Sequence, residues 1–273
     1  MMLNGKLGFI GGGRMGEALI QGILKSGIII AENILVTDPV AERRNFLSET
    51  YGVKSFDIGE DKNIWSACST VILAVKPQIM KDILQAAKSN INNSHLLISI
   101  AAGIQSSFIN ANLSECNCRI IRVMPNTPAF VLEAASALSV GPRATQEDMD
   151  TAVTIFDSIG ISVILDEKYF DAVTGLSGSG PAYVFTFIEA LIDGGLKVGL
   201  NRSDAEILAM QTVLGSVKLA MSSNQTPAQL RDMVTSPGGT TIAGLQILEA
   251  ACFNGIIMDT IEAATERSKE LGK

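Results

Sequence analysis

Two glycine-rich stretches, one near each end of the chain, have the residue types that hold anions. Val234-Thr235-Ser236-Pro237-Gly238-Gly239-Thr240-Thr241 runs into an apolar helical pattern at Ile242, Leu245 and Leu248. A glycine turn at a helix start exposes several backbone N–H groups in one direction. The helix dipole adds positive potential there, which suits a carboxylate or a phosphate. Ser236, Thr240 and Thr241 add hydroxyls to the same place. An ordinary turn with a threonine N-cap would use the same residues, so this stretch alone leaves both readings open.

The second stretch is Gly11-Gly12-Gly13-Arg14-Met15-Gly16. It follows the short apolar run Lys6-Leu7-Gly8-Phe9-Ile10 and precedes Ala18, Leu19, Gly22, Ile23 and Leu24 at helical spacing. Strand, G-x-G-x-x-G and helix in that order form the dinucleotide-binding fingerprint. Gly11 makes the tight turn, Gly13 lets backbone approach a pyrophosphate, and Gly16 lets helix and strand pack closely. Ile10, Gly11, Gly12, Gly13, Arg14, Met15 and Gly16 are therefore expected to touch the cofactor.

Further candidates lie at the ends of later strands. Asp38 stands 22 residues past Gly16, near where an acid binds the ribose hydroxyls of NAD. Arg43 and Arg44 could accept the 2′-phosphate of NADP, or simply sit on a solvated helix face. Asp38 leans to NAD and the arginines to NADP, so the choice between NAD and NADP stays open. Ala74-Val75-Lys76-Pro77 closes one strand, and Pro77 turns the chain so that Lys76 lies over the crevice. Ala101, Ala102 and Gly103 end another strand with side chains small enough for a flat ring to lie against backbone. Asn126, in a loop stiffened by Pro125 and Pro128, can present an amide to a ligand or merely belong to a rigid turn. An anionic ligand needs local cations, for which Lys76, Arg14 and Arg122 are the candidates.

The elements that must position these residues fall into two regions. Strand-like runs at Leu7–Ile10, Ile34–Thr37, Thr70–Val75, Leu96–Ile100 and Arg119–Val123 alternate with helical patterns, as in a parallel sheet wrapped by helices. Two more, Ala135–Val140 and Ile161–Leu165, flank a helix over Gln146–Ser158. From Tyr169 helices dominate: Pro181 to about Val198, Ser203–Met221 capped by Ser203, one starting at Thr226-Pro227, Thr240–Ala251 and Gly255–Lys269. The expected fold is α/β, an N-terminal Rossmann-type doubly wound parallel sheet over residues 1–166. An all-helical substrate-binding and dimerisation domain over residues 167–273 follows it.

Composition narrows the functional classes. The net charge is -7 and no Lys/Arg-rich run stands out, which argues against nucleic acid and anionic membranes. Hydrophobic residues make up 47% of the chain, yet no run of about 18 uncharged apolar residues occurs. The surplus apolar surface is expected in a subunit interface. Four cysteines fit a reducing cytosol rather than a disulfide framework, and the start Met1-Met2-Leu3-Asn4 lacks a signal-peptide layout. A cytoplasmic protein is expected. Cys116-Asn117-Cys118 reads as a surface turn, the single His95 as structural, and no metal site is expected. No triad or paired carboxylates are visible, which fits a reaction whose hard step belongs to a cofactor.

Taken together, Gly11–Gly16, Ala74–Gln78, Ser99–Gly103, Arg122–Pro128, Gly175–Pro181 and Pro227–Glu249 resemble the pyrroline-5-carboxylate reductase family, from Gly8 to about Glu249. The resemblance implies hydride transfer from NADPH or NADH to the imine carbon of the cyclic imine Δ1-pyrroline-5-carboxylate, the carbon that becomes C5 of the product L-proline. It implies substrate contacts at Ser236, Gly239, Thr240, Thr241 and Asn224, with the Thr241 hydroxyl as the catalytic donor to the imine nitrogen. The apolar helices of the second domain are expected to make an obligate homodimer, and the resemblance adds that the dimers assemble further, into a ring. Two positions depart from the pattern. Asp38 stands where many relatives carry a small hydroxyl residue, and Asn224 where some carry a glutamate. A non-catalytic dinucleotide sensor would not need the Ser236–Thr241 pocket. A β-hydroxyacid dehydrogenase would use a helical lysine followed by asparagine, as Lys197 and Asn201 do, but the Gly-Gly-Thr-Thr loop is foreign to it.

Overall fold

The chain alternates strands and helices because its apolar runs are too short and too uninterrupted for anything but buried strands. The computed structural model describes residue 3 and residues 5–272; Met1, Met2 and Asn4 of the expected N-terminal run lie outside them. The strands are β1 (Leu7–Ile10), β2 (Ile34–Thr37), β3 (Lys54–Phe56), β4 (Thr70–Leu73), β5 (Leu96–Ser99), β6 (Arg119–Met124), β7 (Ala134–Val140) and β8 (Gly160–Ile164). They form one eight-stranded sheet in the order β3-β2-β1-β4-β5-β6-β7-β8. Pairing is parallel from β3 through β6, antiparallel between β6 and β7, and parallel again between β7 and β8.

The helices of this region are α1 (Arg14–Ser26), α2 (Ala41–Tyr51), α3 (Lys62–Ala67), α4 (Met80–Ala87), α5 (Ser106–Asn112) and α6 (Gln146–Asp157). The strand period of two sends alternate residues to two cores. Phe9, Ile72, Ile98 and Ile121 pack with Leu19, Ile23 and Phe156. Ile10, Leu73, Leu97 and Ile120 pack with Trp65, Met80 and Leu84 on the other face. Thus the sheet is covered on both sides and its strand ends are left to present loops.

Chain order reverses between β1 and β4, the place where such sheets bind ligands beyond their carboxyl ends. β3 has no counterpart in the sequence reading, because Lys54-Ser55-Phe56 is a three-residue edge strand without an apolar run. β4 and β5 stop at Leu73 and Ser99, so Ala74, Val75 and Ile100 belong to the loops.

The remaining helices are α7 (Phe170–Val173), which runs into a π turn over Thr174–Gly178, then α8 (Gly180–Lys197), α9 (Arg202–Ser222), α10 (Pro227–Met233), α11 (Thr240–Ala250) and α12 (Phe253–Leu271). Packing divides the chain into two units. Residues up to Gly178 go with those from Ala264 onward, and Ser179–Ala263 form the other. Asn201, rather than Ser203, caps α9: its side chain accepts the Asp204 N–H at 3.0 Å, and Ser203 donates its hydroxyl to Asn201. Thr226 caps α10 in a reciprocal box with Gln229, with Pro227 in the first turn.

The core of the second unit, among the described residues, is Ile192, Ala205 and Ala209 between α8 and α9. Phe185 is 65% exposed, Val198 80% and Ile247 70%, and Ile207, Met221, Met233 and Met258 are open as well. A helical unit with so small a core carries far more apolar surface than a soluble monomer normally shows. Among the described residues, no single helix is long and apolar enough to cross a membrane.

Candidate active site

At the carboxyl end of β1 the chain must turn sharply into α1. Gly11 does so at φ +101°, with its N–H on the Thr37 carbonyl at 2.8 Å. A Cβ there would stand 2.5 Å from the Ala74 carbonyl oxygen, so the loop lies directly against the end of β4. Gly16 is equally constrained, since its Cβ would stand 2.8 Å from the Gly11 carbonyl oxygen. At Gly13 a Cβ would meet nothing within 4 Å. Gly13 is also the N-cap of α1, and no side chain caps that helix. Its first N–H groups are therefore left for an anion. The residues present fit a dinucleotide pyrophosphate: a tight turn, an open approach, and a helix start without a cap.

Asp38 is buried at the end of β2. Its carboxylate accepts the Gly12 N–H and the Val40 N–H, each at 2.9 Å. Neither arginine lies on a solvated face. Arg43 donates through Nε to the Gly12 carbonyl at 2.5 Å and pairs with Glu17. Arg44 donates to the Asp38 carbonyl at 2.7 Å and pairs with Asp57 at 3.2 Å. Tyr51 adds a hydrogen bond to Glu17 at 2.9 Å. Burial, and then this bond, raise the Tyr51 phenol above its ordinary value. A cavity of about 290 Å³ beside the loop is lined by Arg14, Glu17, Ala18, Gln21 and Phe130.

The loops after β4 and β5 are neighbours, because Ala74 N–H bonds to the Ile10 carbonyl and Ile100 N–H to that of Leu73. Ala74, Val75, Lys76 and Pro77 thereby come beside Gly11–Gly16, with Ala101, Ala102 and Gly103 on the adjacent strand end. Among the described residues no ion pair holds Arg14 or Lys76, which leaves both cations available. Arg122 is not available. It is buried, pairs with Glu167 at 3.0 Å, and lies over the Phe170 ring at 4.7 Å. A strand-end arginine looks the same in sequence whether it faces ligand or core. Asn126 is buried too, with its oxygen accepting from Ala135 N–H at 3.0 Å and its amide donating to the Ser177 carbonyl at 3.2 Å.

In the second unit Ser236-Pro237-Gly238-Gly239 forms a turn of type II geometry. Gly238 takes φ +67°, and the Gly239 N–H donates to the Ser236 carbonyl at 3.1 Å. The Gly239 N–H therefore closes the turn instead of facing a ligand. Gly239 is nevertheless required to lack a side chain, because a Cβ would stand 2.3 Å from Ser236 Oγ. It is the N-cap of α11, with no side chain capping the helix. Thr240 and Thr241 head that helix with N–H groups that lack helical partners. Among the described residues the Ser236, Thr240 and Thr241 hydroxyls have no hydrogen-bond partner either. Asn224 lies exposed in the turn between α9 and α10. A cavity of about 280 Å³ lined by Arg231, Leu248, Cys252 and Phe253 lies at the far end of α11 from Thr241.

Two other singled-out groups are structural. His95 is buried, with Nε2 donating to the Trp65 carbonyl at 2.8 Å and Nδ1 accepting the Asn92 N–H at 3.1 Å. Of the Cys116-Asn117-Cys118 turn, only Asn117 is at the surface, at φ +53°; both thiols point inward.

A parallel sheet with a glycine loop at its reversal point, followed by a helical region, defines the class of NAD(P)-dependent oxidoreductases. Residues 6–103 match the family described as NADP oxidoreductase coenzyme F420-dependent, and residues 167–271 match pyrroline-5-carboxylate reductase dimerisation. The pyrroline-5-carboxylate reductases of Methanosarcina acetivorans and Pisum sativum are each 45% identical, covering 100% and 97% of this chain and 100% and 95% of their own. The chain belongs to the pyrroline-5-carboxylate reductase family. Among solved structures, the Coxiella burnetii enzyme superposes with a TM-score of 0.93 at 33% identity, over 99% of this chain and 100% of that one. The Plasmodium falciparum pyrroline carboxylate reductase with NADP bound superposes at 0.87, with 37% identity over the whole of both chains.

Proposed function

We propose that this chain reduces Δ1-pyrroline-5-carboxylate to L-proline with NADPH or NADH. The observation that carries the reading is the start of α11, where unpartnered N–H groups and free hydroxyls share one turn. An anion of carboxylate size matches that cradle, and a helix start favours it electrostatically. Ser236, Thr240 and Thr241 would hold the substrate carboxylate, Gly239 would keep the turn narrow, and Asn224 would border the site. The Thr241 hydroxyl would donate to the imine nitrogen. A hydroxyl is a weak acid, so Thr241 polarises and orients the imine rather than protonating it outright, and the proton that the nitrogen gains as the carbon takes the hydride comes from water.

A reduced nicotinamide, when bound, supplies the hydride. Gly11, Gly12, Gly13 and Arg14, with Ile10, Met15 and Gly16, would hold the pyrophosphate. Asp38 would meet the adenosine ribose, and Ala74–Pro77, Ala101–Gly103 and Asn126 would border the nicotinamide half. Support comes from the open approach at Gly13, and from the Plasmodium falciparum relative, whose structure contains NADP. Holding the ring and nicotinamide in contact would supply much of the rate.

Residues 1–166 would form the dinucleotide-binding domain and 167–273 the substrate-binding and dimerisation domain. The exposed apolar helices of Ser179–Ala263 support a homodimer, and family resemblance extends this to a ring of dimers. Four free thiols, three of them buried, support a reducing cytoplasm. The net charge of -7 speaks against nucleic-acid or membrane partners. The test is an absorbance assay of NADPH and NADH oxidation with pyrroline-5-carboxylate, run beside light scattering. Turnover by a dimer or larger assembly is expected. A chain that binds coenzyme without turning the imine over would be a sensor instead.

A further inference from the structure

Gly12 is gripped from both sides. Its N–H donates to Asp38 at 2.9 Å and its carbonyl accepts from Arg43 Nε at 2.5 Å. The same guanidinium reaches the Gly13 carbonyl at 3.4 Å and pairs with Glu17, which Tyr51 holds from the other side at 2.9 Å. The Arg43 guanidinium also lies over the Phe46 ring at 5.1 Å, fixing its plane. In a trans peptide the C=O and the following N–H point in opposite directions. Drawing the Gly12 carbonyl toward Arg43 therefore aims the Gly13 N–H the other way, while the Gly13 carbonyl is held chiefly by the Glu17 N–H of α1 at 2.9 Å. A Cβ at Gly13 would meet nothing within 4 Å, so the loop is open to approach there.

The Gly12 carbonyl dipole, which would repel a pyrophosphate, is turned back and neutralised, while the Gly13 N–H is turned out. All five of the fixed guanidinium donors point along one plane, and those used here are spent on Gly12, Gly13 and Glu17. Arg43 commits Nε and Nη2 to these contacts, and Arg44 commits both terminal nitrogens to Asp38 and Asp57, so both guanidinium groups are held in place by the protein itself.

We propose that Arg43, locked by Glu17 and Tyr51, is a positioning residue that sets the glycine loop for either coenzyme and does not select NADP by its 2′-phosphate. The proposal rests on the dinucleotide-binding reading above. It concerns binding, so titration calorimetry of NADPH and NADH into the parent, Arg43→Lys and Arg43→Met is the test. Thermal melting of each variant is recorded alongside. Both dissociation constants should rise by the same factor, about tenfold, as for one charge-assisted N–H bond misaimed. Arg43→Lys should not rescue, because an ammonium cannot span Gly12, Gly13 and Glu17 together. The KM for pyrroline-5-carboxylate should stay at the parent value. If Arg43→Met fails to fold, Tyr51→Phe removes a single bond to Glu17 and should weaken both coenzymes alike by a smaller factor. Loss confined to NADPH, or rescue of NADPH binding by lysine, would overturn the proposal. A parent that binds neither coenzyme would instead overturn the dinucleotide reading.

Discussion

The carboxylate of Glu167 accepts both the backbone N–H of Ser106, at 2.7 Å, and its hydroxyl, at 2.5 Å. Ser106 is the first residue of α5, the helix that follows the Ala101–Gly103 loop. An acid 61 residues away thus caps this helix start, as the dipole favours. The same carboxylate neutralises buried Arg122 at 3.0 Å. Glu167→Ala strands that arginine and uncaps α5 in one step. The expected loss of stability is about 2–3 kcal/mol, below the full cost for a buried pair because Glu167 is partly open to solvent. Urea unfolding of the parent and variant measures it, and a difference under about 0.5 kcal/mol would show the network to be idle.

Asp38 separates coenzyme selection from loop geometry. Its carboxylate would stand near a 2′-phosphate and repel it. Asp38→Ser should raise the ratio of kcat/KM for NADPH over NADH by about three- to tenfold. Both coenzymes should also lose some absolute affinity, because the Gly12 N–H loses a charged acceptor. Steady-state kinetics with each coenzyme gives the ratio directly. A ratio that does not move places Asp38 away from the ribose.

Burial pushes the Cys68 and Cys118 thiols up to about 11 and raises that of Cys116 as well. The thiolate is the reactive form, so Cys68 and Cys118 should resist iodoacetamide at about pH 8 in the native protein and react once it is unfolded. Because the folded state holds these protons more tightly, their stabilising contribution is complete below the ordinary thiol value. It is lost as pH rises toward about 11. Mass spectrometry of alkylated peptides checks the first point and alkaline unfolding the second. Labelling of Cys68 at its denatured rate would contradict both.

How far the sequence could be read depended on whether a feature was local. The β1–loop–α1 unit was legible because Gly11, Gly13 and Gly16 meet their constraints within a few residues of one another. The helices of the second unit were legible from caps and prolines such as Thr226-Pro227. The edge strand β3 was not, since three residues without an apolar run leave no period to detect. The grip of Arg43 on Gly12 joins residues 31 apart, and nothing local distinguishes it from a solvated arginine. Arg122 and Glu167 were hidden for the same reason, as was the use of the Gly239 N–H to close its own turn. Tertiary closeness decided each of these, and spacing along the chain does not record it.

On the proposed mechanism hydride reaches the imine carbon of a ring whose carboxylate would sit at the start of α11, and Thr241 would polarise the imine nitrogen. Single-turnover reduction of pyrroline-5-carboxylate with coenzyme deuterated at the transferring position of the nicotinamide tests it most directly, with the product read by mass spectrometry. In the parent, one deuterium should appear at C5 of L-proline. In Thr241→Ala the same product should form about 10- to 10³-fold more slowly, toward the lower end for a neutral hydroxyl donor, with coenzyme affinity unchanged. Thr241→Ser should retain most of the rate. Proline without deuterium, no consumption of the imine, or an alanine variant as fast as the parent would contradict it.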